Sequence, residues 1–558
     1  MTEIYFEYYF NEKPKQFNPN LPSFAKLRKE VIKTKKYYLE FYDYLWGNNI
    51  SVSKYITQIL DGVIIPKESE KHPEKYKNIT YGIFNAIQIT KGSIKIVNDL
   101  FGAIPSFYYH DKDIFIYSTK IKPIISRLKN LNKSVSENKD AINFIKEVGF
   151  LISDYTYVFE IKRMLSATEI IIKNNKVTQI QYHRPNATKR NSSEKKLFQI
   201  LNRTFSMIFS EINKGVGLTL SGGLDSRVIA GQILKNNIKA TAITYGFNNS
   251  SEIKIAKKVA KITKLKLIRK SFNIKDILAS IDEDNVLKEG FVDNLNSYLP
   301  LIKDTLINNH IHYLFNGFLG DAVLGGSYIT RKTNSVKELI KELMNEINKK
   351  TPENKIIQKA SDFIVSRTFK FKNKQNYEKN KKIVLTELKR IKRESNVKEY
   401  EDLVNLYFIY NSAFRNTMYG VLSSRPYSEI VIPFMGNDFF LELLKMSQYR
   451  FKYHRVYKKY MIQEFPMLAK LKSKNWGVNC YKSTLYQRLS EYMDGFIESV
   501  IKPKLNSIMN KNIFRKNSYV DYPYWFRESN EFRKFMGTNK FKGFEKKEEE
   551  LIRNIINE

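Results

Sequence analysis

A short run of glycine, serine and aspartate lies between a predicted strand over residues 216–220 and a predicted helix that starts at Ser226. The run reads Ser221-Gly222-Gly223-Leu224-Asp225-Ser226. Adjacent glycines let the backbone approach an oxyanion closely, because no Cβ stands in the way. The following helix would present its free N–H groups and the positive end of its dipole to the same anion. The arrangement therefore predicts a phosphate-binding loop.

The aspartate of this loop has a different predicted role from its neighbours. A carboxylate repels phosphate, so Asp225 is expected to hold a magnesium ion that bridges to phosphate oxygens, while Ser221 and Ser226 donate hydroxyl groups. No lysine follows the glycines, which excludes the common loop that grips β- and γ-phosphates for γ-transfer. The alternative interpretation is a plain turn between strand and helix that binds nothing.

The Ser-Gly-Gly-x-Asp-Ser pattern resembles the pyrophosphate-binding loop of the ATP-pyrophosphatase superfamily. The resemblance implies an ATP site formed by Ser221, Gly222, Gly223, Asp225 and Ser226. It also implies that the β- and γ-phosphates leave together while a substrate oxygen attacks the α-phosphate. The superfamily includes tRNA-modifying enzymes, GMP synthetases, argininosuccinate synthetases and class B asparagine synthetases, so further segments must choose among them.

A second glycine-rich segment narrows the resemblance to the class B asparagine synthetases. Residues 316–326, Asn-Gly-Phe-Leu-Gly-Asp-Ala-Val-Leu-Gly-Gly, are similar to that family's Gly-x-Gly-x-Asp-x-x-x-Gly-Gly. Leu319 stands where the family has its second glycine, and Gly320 follows one place later. The resemblance implies that Asp321 supplies a second carboxylate for magnesium, opposite Asp225.

A third segment supplies a candidate general base. Residues 428–435, Ser-Glu-Ile-Val-Ile-Pro-Phe-Met, resemble the family's Glu-Ala-Arg-x-Pro-Phe-Leu-Asp. By this match Glu429 would accept the proton of the reacting amine as the amide forms. Val431 replaces the family's arginine and Gly436 replaces its aspartate. A buried helix start that leaves the glutamate exposed, in a purely structural role, is the alternative.

A cation is also expected near the α-phosphate or the developing oxyanion. The basic run over residues 452–459 lies where the family carries its catalytic lysine. Spacing leaves the choice between Lys458 and Arg455 open, and Lys458 is the preferred candidate. A solvated basic helix face is the alternative interpretation of this run.

The first part of the chain resembles the glutaminase half of the same family. Residues 81–85 and 97–109 follow its Asp-x-x-Gly-x-x-Pro-Leu-Tyr-Tyr pattern, and residues 116–122 stand where it has Ala-Ser-Glu-x-Lys. Such a glutaminase needs a cysteine directly after the initiator methionine, and Thr2 occupies that position. The sequence therefore predicts a scaffold without glutaminase activity, with nitrogen supplied by free ammonia or by a substrate amine.

Two groups of relatives also lack the cysteine, the β-lactam synthetases and the lasso-peptide macrocyclases. In both, an amine of the same molecule attacks an acyl-adenylate. The β-lactam type pairs a tyrosine with the glutamate, and the corresponding position here is Phe318, which has no hydroxyl. A peptide macrocyclase thus remains the alternative to an asparagine-synthetase-like ligase. An adenylating enzyme that acts on RNA is less favoured, because only the net charge supports it.

Length and composition bound these hypotheses. The chain has 558 residues, of which 42% are hydrophobic, so we expect two or three packed domains and a soluble protein with no membrane span. No secretory signal is recognised, which predicts a cytoplasmic location. Cys480 is the only cysteine, which excludes an internal disulfide and cysteine-based zinc sites. The net charge of +37 could attract nucleic acid, but no nucleic-acid motif accompanies it, and a lysine-rich composition bias explains it equally well.

The order of predicted elements indicates an α/β protein. We expect the short aromatic-rich strands that open the chain to form an antiparallel, glutaminase-like αββα sandwich. They are predicted over residues 4–10, 81–89, 93–97, 107–109 and 114–117. Helices alternate with strands that are predicted over residues 216–220, 240–245 and 266–270, which indicates the parallel, Rossmann-like sheet of an ATP-pyrophosphatase synthetase domain. A lysine-rich helical insertion interrupts this domain, and a helical extension follows it. The predicted units are residues 1–185 (glutaminase-like), 193–330 and 401–470 (synthetase), 331–400 (insertion) and 471–558 (extension).

Overall fold

Three β-sheets organise the protein in the computed structural model. The structure describes residues 3–11, 17–19, 27–44, 50–52, 56–71, 78–187, 192–246, 251–272, 274–280, 286–292, 300–330, 351–369, 374–474, 476–497, 501, 504 and 542–557. The strands are β1 (Glu3–Tyr9), β2 (Leu27–Lys33), β3 (Tyr37–Tyr44), β4 (Ile50–Val52), β5 (Ile56–Ile65), β6 (Tyr81–Thr90), β7 (Ser93–Asn98), β8 (Phe107–His110), β9 (Ile114–Ser118), β10 (Lys162–Arg163), β11 (Thr168–Lys173), β12 (Lys176–Gln181), β13 (Val216–Thr219), β14 (Ala240–Tyr245), β15 (Lys266–Lys270), β16 (Tyr313–Phe315) and β17 (Glu429–Val431).

Helices connect and cover these strands. They are α1 (Ile121–Asn130), α2 (Lys139–Val148), α3 (Glu194–Glu211), α4 (Leu224–Lys235), α5 (Ser251–Thr263), α6 (Ile274–Ala279), α7 (Lys303–Asn308), α8 (Gly320–Gly325), α9 (Ile356–Thr368), α10 (Lys374–Ser395), α11 (Tyr400–Tyr407), α12 (Met418–Leu422), α13 (Asn437–Leu443), α14 (Arg455–Glu464), α15 (Pro466–Ala469), α16 (Thr484–Phe496) and α17 (Lys542–Asn557). A π-helix, Phe408–Thr417, joins α11 to α12. Within the described ranges, no helix is long and apolar enough to cross a membrane.

Two antiparallel sheets pack face to face in the first part of the chain. Their strand orders are β10-β8-β9-β1-β3-β2 and β12-β11-β7-β6-β5-β4. Side chains alternate across a strand, so Ile4 and Phe6 of β1 enter the core between the sheets, together with Ile87 and Ile96 of the second sheet. Tyr5, between them, joins the core on the opposite face, which also contains residues of α1 and α2. The prediction of antiparallel sheets in this part of the chain is confirmed.

The third sheet is parallel, with the order β15-β14-β13-β16-β17. The predicted strands over residues 240–245 and 266–270 agree with β14 and β15 residue for residue. Helix α4 begins at Leu224, two residues earlier than predicted, so Asp225 lies in its first turn. The prediction of a mixed α/β protein, with a parallel sheet after the antiparallel ones, is confirmed.

Helices also occupy the described parts of the predicted insertion and of the predicted extension. Helices α9 and α10 lie within the predicted insertion, whose residues 331–350 are outside the described ranges. Helices α16 and α17 lie within the predicted extension.

Buried contacts join the antiparallel sheets to the parallel one. The Tyr81 hydroxyl accepts a hydrogen bond from the Ile432 N–H at 2.9 Å. The Asn437 N–H donates to the Thr80 carbonyl at 2.8 Å. The segment that follows β17, at the edge of the parallel sheet, therefore lies against the start of β6.

Candidate active site

The parallel sheet reverses its strand order between β13 and β16, which are neighbours in the sheet but far apart in sequence. From β13 the chain proceeds to β14 and β15 on one side, and β16 and β17 lie on the other side. Loops that leave the carboxyl ends of two such strands diverge and open a crevice, where open α/β sheets bind their ligands. The loop of residues 220–223 and the loop of residues 316–319 border this crevice.

The first loop is held by its own serines. The Ser221 N–H donates to Ser226 Oγ at 3.1 Å, and the Gly223 N–H donates to Ser221 Oγ at 3.2 Å. Helix α4 has Gly223 as its N-cap and has no side-chain cap. The first N–H groups of this 12-residue helix therefore lack a side-chain partner and suit an anion.

Two carboxylates meet at the crevice. Asp225 accepts a hydrogen bond from the Tyr457 hydroxyl at 2.7 Å and one from the backbone N–H of Asp321. Burial and the negative charge of Asp321 raise the pKa of Asp225 well above its ordinary value. Burial also raises the pKa of Asp321, but contact with the His454 ring outweighs it and leaves that pKa below its ordinary value. The Asp321 side chain keeps 37% of its surface exposed, so a ligand can reach the pair.

Glycines allow the two loops to approach this closely. A Cβ on Gly317 would lie 2.6 Å from the Asp225 Cβ, and one on Gly320 would lie 2.7 Å from Asp225 Oδ1. A Cβ on Gly325 would lie 2.6 Å from Asp321 Oδ1. These glycines are thus required by packing against the carboxylates.

Leu319 occupies a backbone conformation that favours glycine. Its φ is 71°, in the left-handed region that costs an L-residue roughly 1–2 kcal/mol. This is the position at which the resembling family has a glycine. The side chain is buried, 5% exposed, which offsets part of that cost.

The paired carboxylates fit a magnesium ion. Each raises the electrostatic cost of the other, and a divalent cation between them would relieve it. Magnesium commonly takes one or two carboxylates and completes its shell with phosphate oxygens and water. Within the described ranges, no group of three or more His, Cys, Asp or Glu side chains could hold a metal by itself. Asp225 and Asp321 are therefore the residues that would hold the ion.

Two basic residues complete the loop and were not predicted from the sequence. Arg227 is fully buried and donates to the Gly222 carbonyl at 3.1 Å. It also donates to the carbonyls of Leu468, Leu471 and Lys472. It thereby ties the loop to the segment 468–474. In the sequence, only the alternation of lysines at 470, 472 and 474 marks this segment.

Lys474 brings an ammonium group to the same loop. Its Nζ lies 2.6 Å from Glu252 Oε1, and its Cβ would be 3.4 Å from a Cβ on Gly222. The Lys474 side chain is 22% exposed. The Lys474 side chain therefore starts beside Gly222 and ends on Glu252, in a segment 15 residues or more beyond the predicted run 452–459.

The predicted run contacts the site through other members than Lys458. Tyr457 and His454 reach the two carboxylates, as described above. Lys458 Nζ donates to the Lys482 carbonyl at 2.6 Å and to Gln487 Oε1 at 3.4 Å, and burial lowers its pKa. The guanidinium of Arg455 lies over the Tyr453 ring at 5.3 Å. The structure thus places Lys458 against the carboxyl-terminal segment.

Glu429 lies at the other end of the parallel sheet. It opens β17 and pairs in register with Tyr313, the first residue of β16. Arg425 donates to Glu429 Oε1 at 2.7 Å and to Asp61 Oδ1 at 2.8 Å. Asp61 lies in β5, so this arginine links Glu429 to the two antiparallel sheets, called the first sheet pair below. Burial raises the pKa of Glu429, but Arg425 outweighs it and holds the pKa below its ordinary value.

The structure therefore brings together six of the predicted site residues: Ser221, Gly222, Gly223, Asp225, Ser226 and Asp321. It places Glu429 and Lys458 in other contacts.

The Phe318 ring packs edge-to-face on Phe414 at 5.8 Å. Thr2, on which the expectation of a lost glutaminase rests, lies outside the described residues.

Comparisons with known proteins match part of the chain. The sequence model of the family described as asparagine synthase matches residues 213–420. A Methanocaldococcus jannaschii protein, provisionally named asparagine synthetase 2 (glutamine-hydrolyzing), is 26% identical over 265 residues, which cover 45% of this chain and 50% of that protein. The chain spans about half the length of this curated relative. These matches support an asparagine synthetase-like domain.

Solved structures give weaker matches. NMN synthetase from Francisella tularensis is 15% identical, with a TM-score of 0.18, over 36% of this chain and 96% of that chain. Glutamine phosphoribosylpyrophosphate amidotransferase from B. subtilis is 8% identical, with a TM-score of 0.17, over 43% and 52% of the two chains. No conclusion about this chain follows from scores this low.

Proposed function

We propose that this chain is an ATP-dependent, AMP-forming ligase that joins a carboxylate to an amine. One observation carries the proposal: Asp225 and Asp321 meet at the switch point of a parallel sheet, beside the Ser221–Ser226 loop. In the first step a substrate carboxylate oxygen bonds to the α-phosphorus, and the bond from that phosphorus to the bridging oxygen breaks, which releases pyrophosphate. In the second step the amine attacks the acyl carbon, AMP leaves, and the amine proton passes to a base.

The residues of the loop would act on the leaving group. The N–H groups at the start of α4 and the hydroxyls of Ser221 and Ser226 would hold pyrophosphate, and Lys474 would balance part of its charge. Magnesium, held by Asp225 and Asp321, would neutralise charge on the phosphate oxygens. Tyr457 and His454 fix the two carboxylates in position.

The nitrogen donor would be free ammonia or an amine of the substrate. The only cysteine, Cys480, is buried, and burial raises its pKa to about 11, so it is a poor candidate for a glutaminase nucleophile. The first sheet pair would then be a scaffold without glutaminase activity. Glu429 remains the proposed proton acceptor on its sequence resemblance alone, because Arg425 lowers its pKa and so weakens it as a base, and it lies at the other end of the sheet from Asp225 and Asp321.

Pyrophosphate release tests the proposal. Wild type would be given ATP, magnesium and candidate acids with ammonium, and Asp225→Asn and Asp321→Asn would be compared with it. Asp438→Asn is the matched control, because Asp438 is a partly exposed aspartate paired with Arg203. We expect acid-dependent release from wild type and the control only. Equal release from all four proteins would exclude the proposed site, and release that requires glutamine would exclude the proposed nitrogen source.

A further inference from the structure

Two buried arginines meet where the first sheet pair touches the π-helix. Arg163, in β10, is 3% exposed, and Arg415, in Phe408–Thr417, is 8% exposed. Arg163 donates to the carbonyl of Phe414 at 3.2 Å, the residue directly before Arg415. Burial lowers the pKa of Arg415 well below its ordinary value, and the nearby positive charge of Arg163 lowers it further.

No carboxylate in the described ranges forms an ion pair with either guanidinium. The other partner of Arg163 is a neutral hydroxyl, that of Tyr419, at 3.3 Å. Arg415 Nε and Nη1 are buried and find no hydrogen-bond acceptor among the described residues. Glu387 attracts Arg415, but both of its oxygens already bind Arg390, at 2.7 and 2.8 Å. Among the residues that the structure describes, the two adjacent positive charges are thus buried without an ion pair of their own.

Such an arrangement is unstable unless something completes it. A buried charge without a paired charge is strongly destabilising, and proteins rarely retain one. The π-helix adds to the argument, because its widened turns carry Arg415 and are themselves a conformation that proteins retain mainly at functional sites. The missing partner is an anion whose oxygens can accept from guanidinium N–H groups.

We propose that Arg163 and Arg415 form a binding site for the carboxylate group of a small acid. A planar carboxylate matches the fork of donors on a guanidinium. The phosphates of ATP already have a separate site in the Ser221–Ser226 loop. The new site lies beside the second loop of the crevice, residues 316–319, because the Phe414 ring packs on Phe318, whose N–H donates to Asn316 Oδ1 at 2.8 Å.

The carboxylate could come from the ligase substrate or from a separate acid. If it comes from the substrate, which rests on the proposed function, it is a group that does not react. A reacting carboxylate loses its negative charge when it is adenylated. Two arginines would stabilise the charged form that precedes this step, so binding the reacting group here would slow the reaction.

Anion-dependent thermal stability tests the site without ATP or turnover. Unfolding temperatures would be measured in sodium acetate, sodium phosphate and sodium chloride at equal ionic strength. We expect acetate to raise the unfolding temperature of wild type above its value in chloride. Arg415→Met should lose that shift, yet be as stable as wild type in chloride, because it removes an uncompensated charge. Arg203→Met is the matched control, since Arg203 is exposed and distant in sequence, and it should keep the shift.

Arg415→Lys provides a second variant that keeps the charge but not the fork of donors. We expect it to need about 10-fold to 100-fold more acetate for the same shift. An acetate shift retained in Arg415→Met would overturn the proposal, as would a wild-type shift in phosphate alone. A large loss of stability of Arg415→Met in chloride would also overturn it, because Arg415 would then already be satisfied within the fold.

The pyrophosphate assay then identifies the source of the carboxylate. Acetate that competes with the acid substrate indicates a substrate group, and acetate that leaves the substrate KM unchanged indicates a separate acid. Either result supports a carboxylate site. Failure of the Asp225→Asn test would remove the ligase proposal alone, because the thermal measurements require no catalysis.

Discussion

Substituting alanine for Gly317 should disable the site through a single methyl group. The added Cβ would lie 2.6 Å from the Asp225 Cβ and 2.9 Å from the Ser226 nitrogen. Carbon atoms pack best at about 3.5–4.0 Å, so Asp225 and Gly317 would have to separate by about 1 Å. Overpacking of this kind costs about 1–3 kcal/mol in the free energy of unfolding. A shift of about 1 Å in a catalytic group can cost about 100-fold in rate.

Urea unfolding and pyrophosphate release would be measured on the same preparations. The matched control is Gly92→Ala, because a Cβ on Gly92 meets nothing within 4 Å. We expect Gly317→Ala to lose about 100-fold in pyrophosphate release with a lower urea midpoint, and Gly92→Ala to resemble wild type. Wild-type release from Gly317→Ala would refute the reasoning that the second loop is fitted against Asp225.

Two further changes probe the charges around the site and the sheet pair. Lys474→Met should lower kcat/KM for ATP by about 10-fold to 100-fold, because it removes one charged contact to phosphate. Lys472→Met removes an exposed neighbour and should leave kcat/KM unchanged. Equal effects of the two substitutions would count against Lys474. Burial raises the pKa of Glu3 to about 7 from an ordinary value of 4.5, so the folded protein binds a proton more tightly than the unfolded chain, and its stability should fall by roughly 3 kcal/mol as pH rises from 4.5 through 7. Glu3→Gln should flatten that fall in urea midpoints measured between pH 5 and 8, and an unchanged slope would assign it to other groups.

Local signals in the sequence were sufficient for much of the fold. Strands β14 and β15 are short runs bounded by turns, and their limits match the prediction. Strand β5 was not predicted, because Asp61 and Gly62 interrupt its apolar run. Gly62 has a φ of 125° and lies so close to β6 that a Cβ would be 2.0 Å from the Ile83 carbonyl oxygen. A close approach between strands is invisible until both strands are paired.

In the candidate site, too, a local sequence pattern marks some residues and not others. Asp225 and Asp321 could be predicted because glycines at fixed spacing surround each of them. Lys474 and Glu252 are 222 residues apart, and no local pattern connects them. Likewise, no local pattern indicates that Arg425 connects Glu429 to Asp61, because Asp61 and Arg425 are 364 residues apart.

The hydrogen bond from Tyr457 to Asp225 spans 232 residues, which has a consequence during synthesis. At about 5–20 residues per second, a ribosome would deliver Tyr457 roughly 12–46 s after Asp225. The glycine loop and both carboxylates would thus leave the ribosome long before the hydroxyl, the imidazole and the arginine-anchored lysine segment that complete them. A nascent chain would carry the Ser221–Ser226 loop without these contacts, and the proposed reaction could begin only after residues 454–474 have been made.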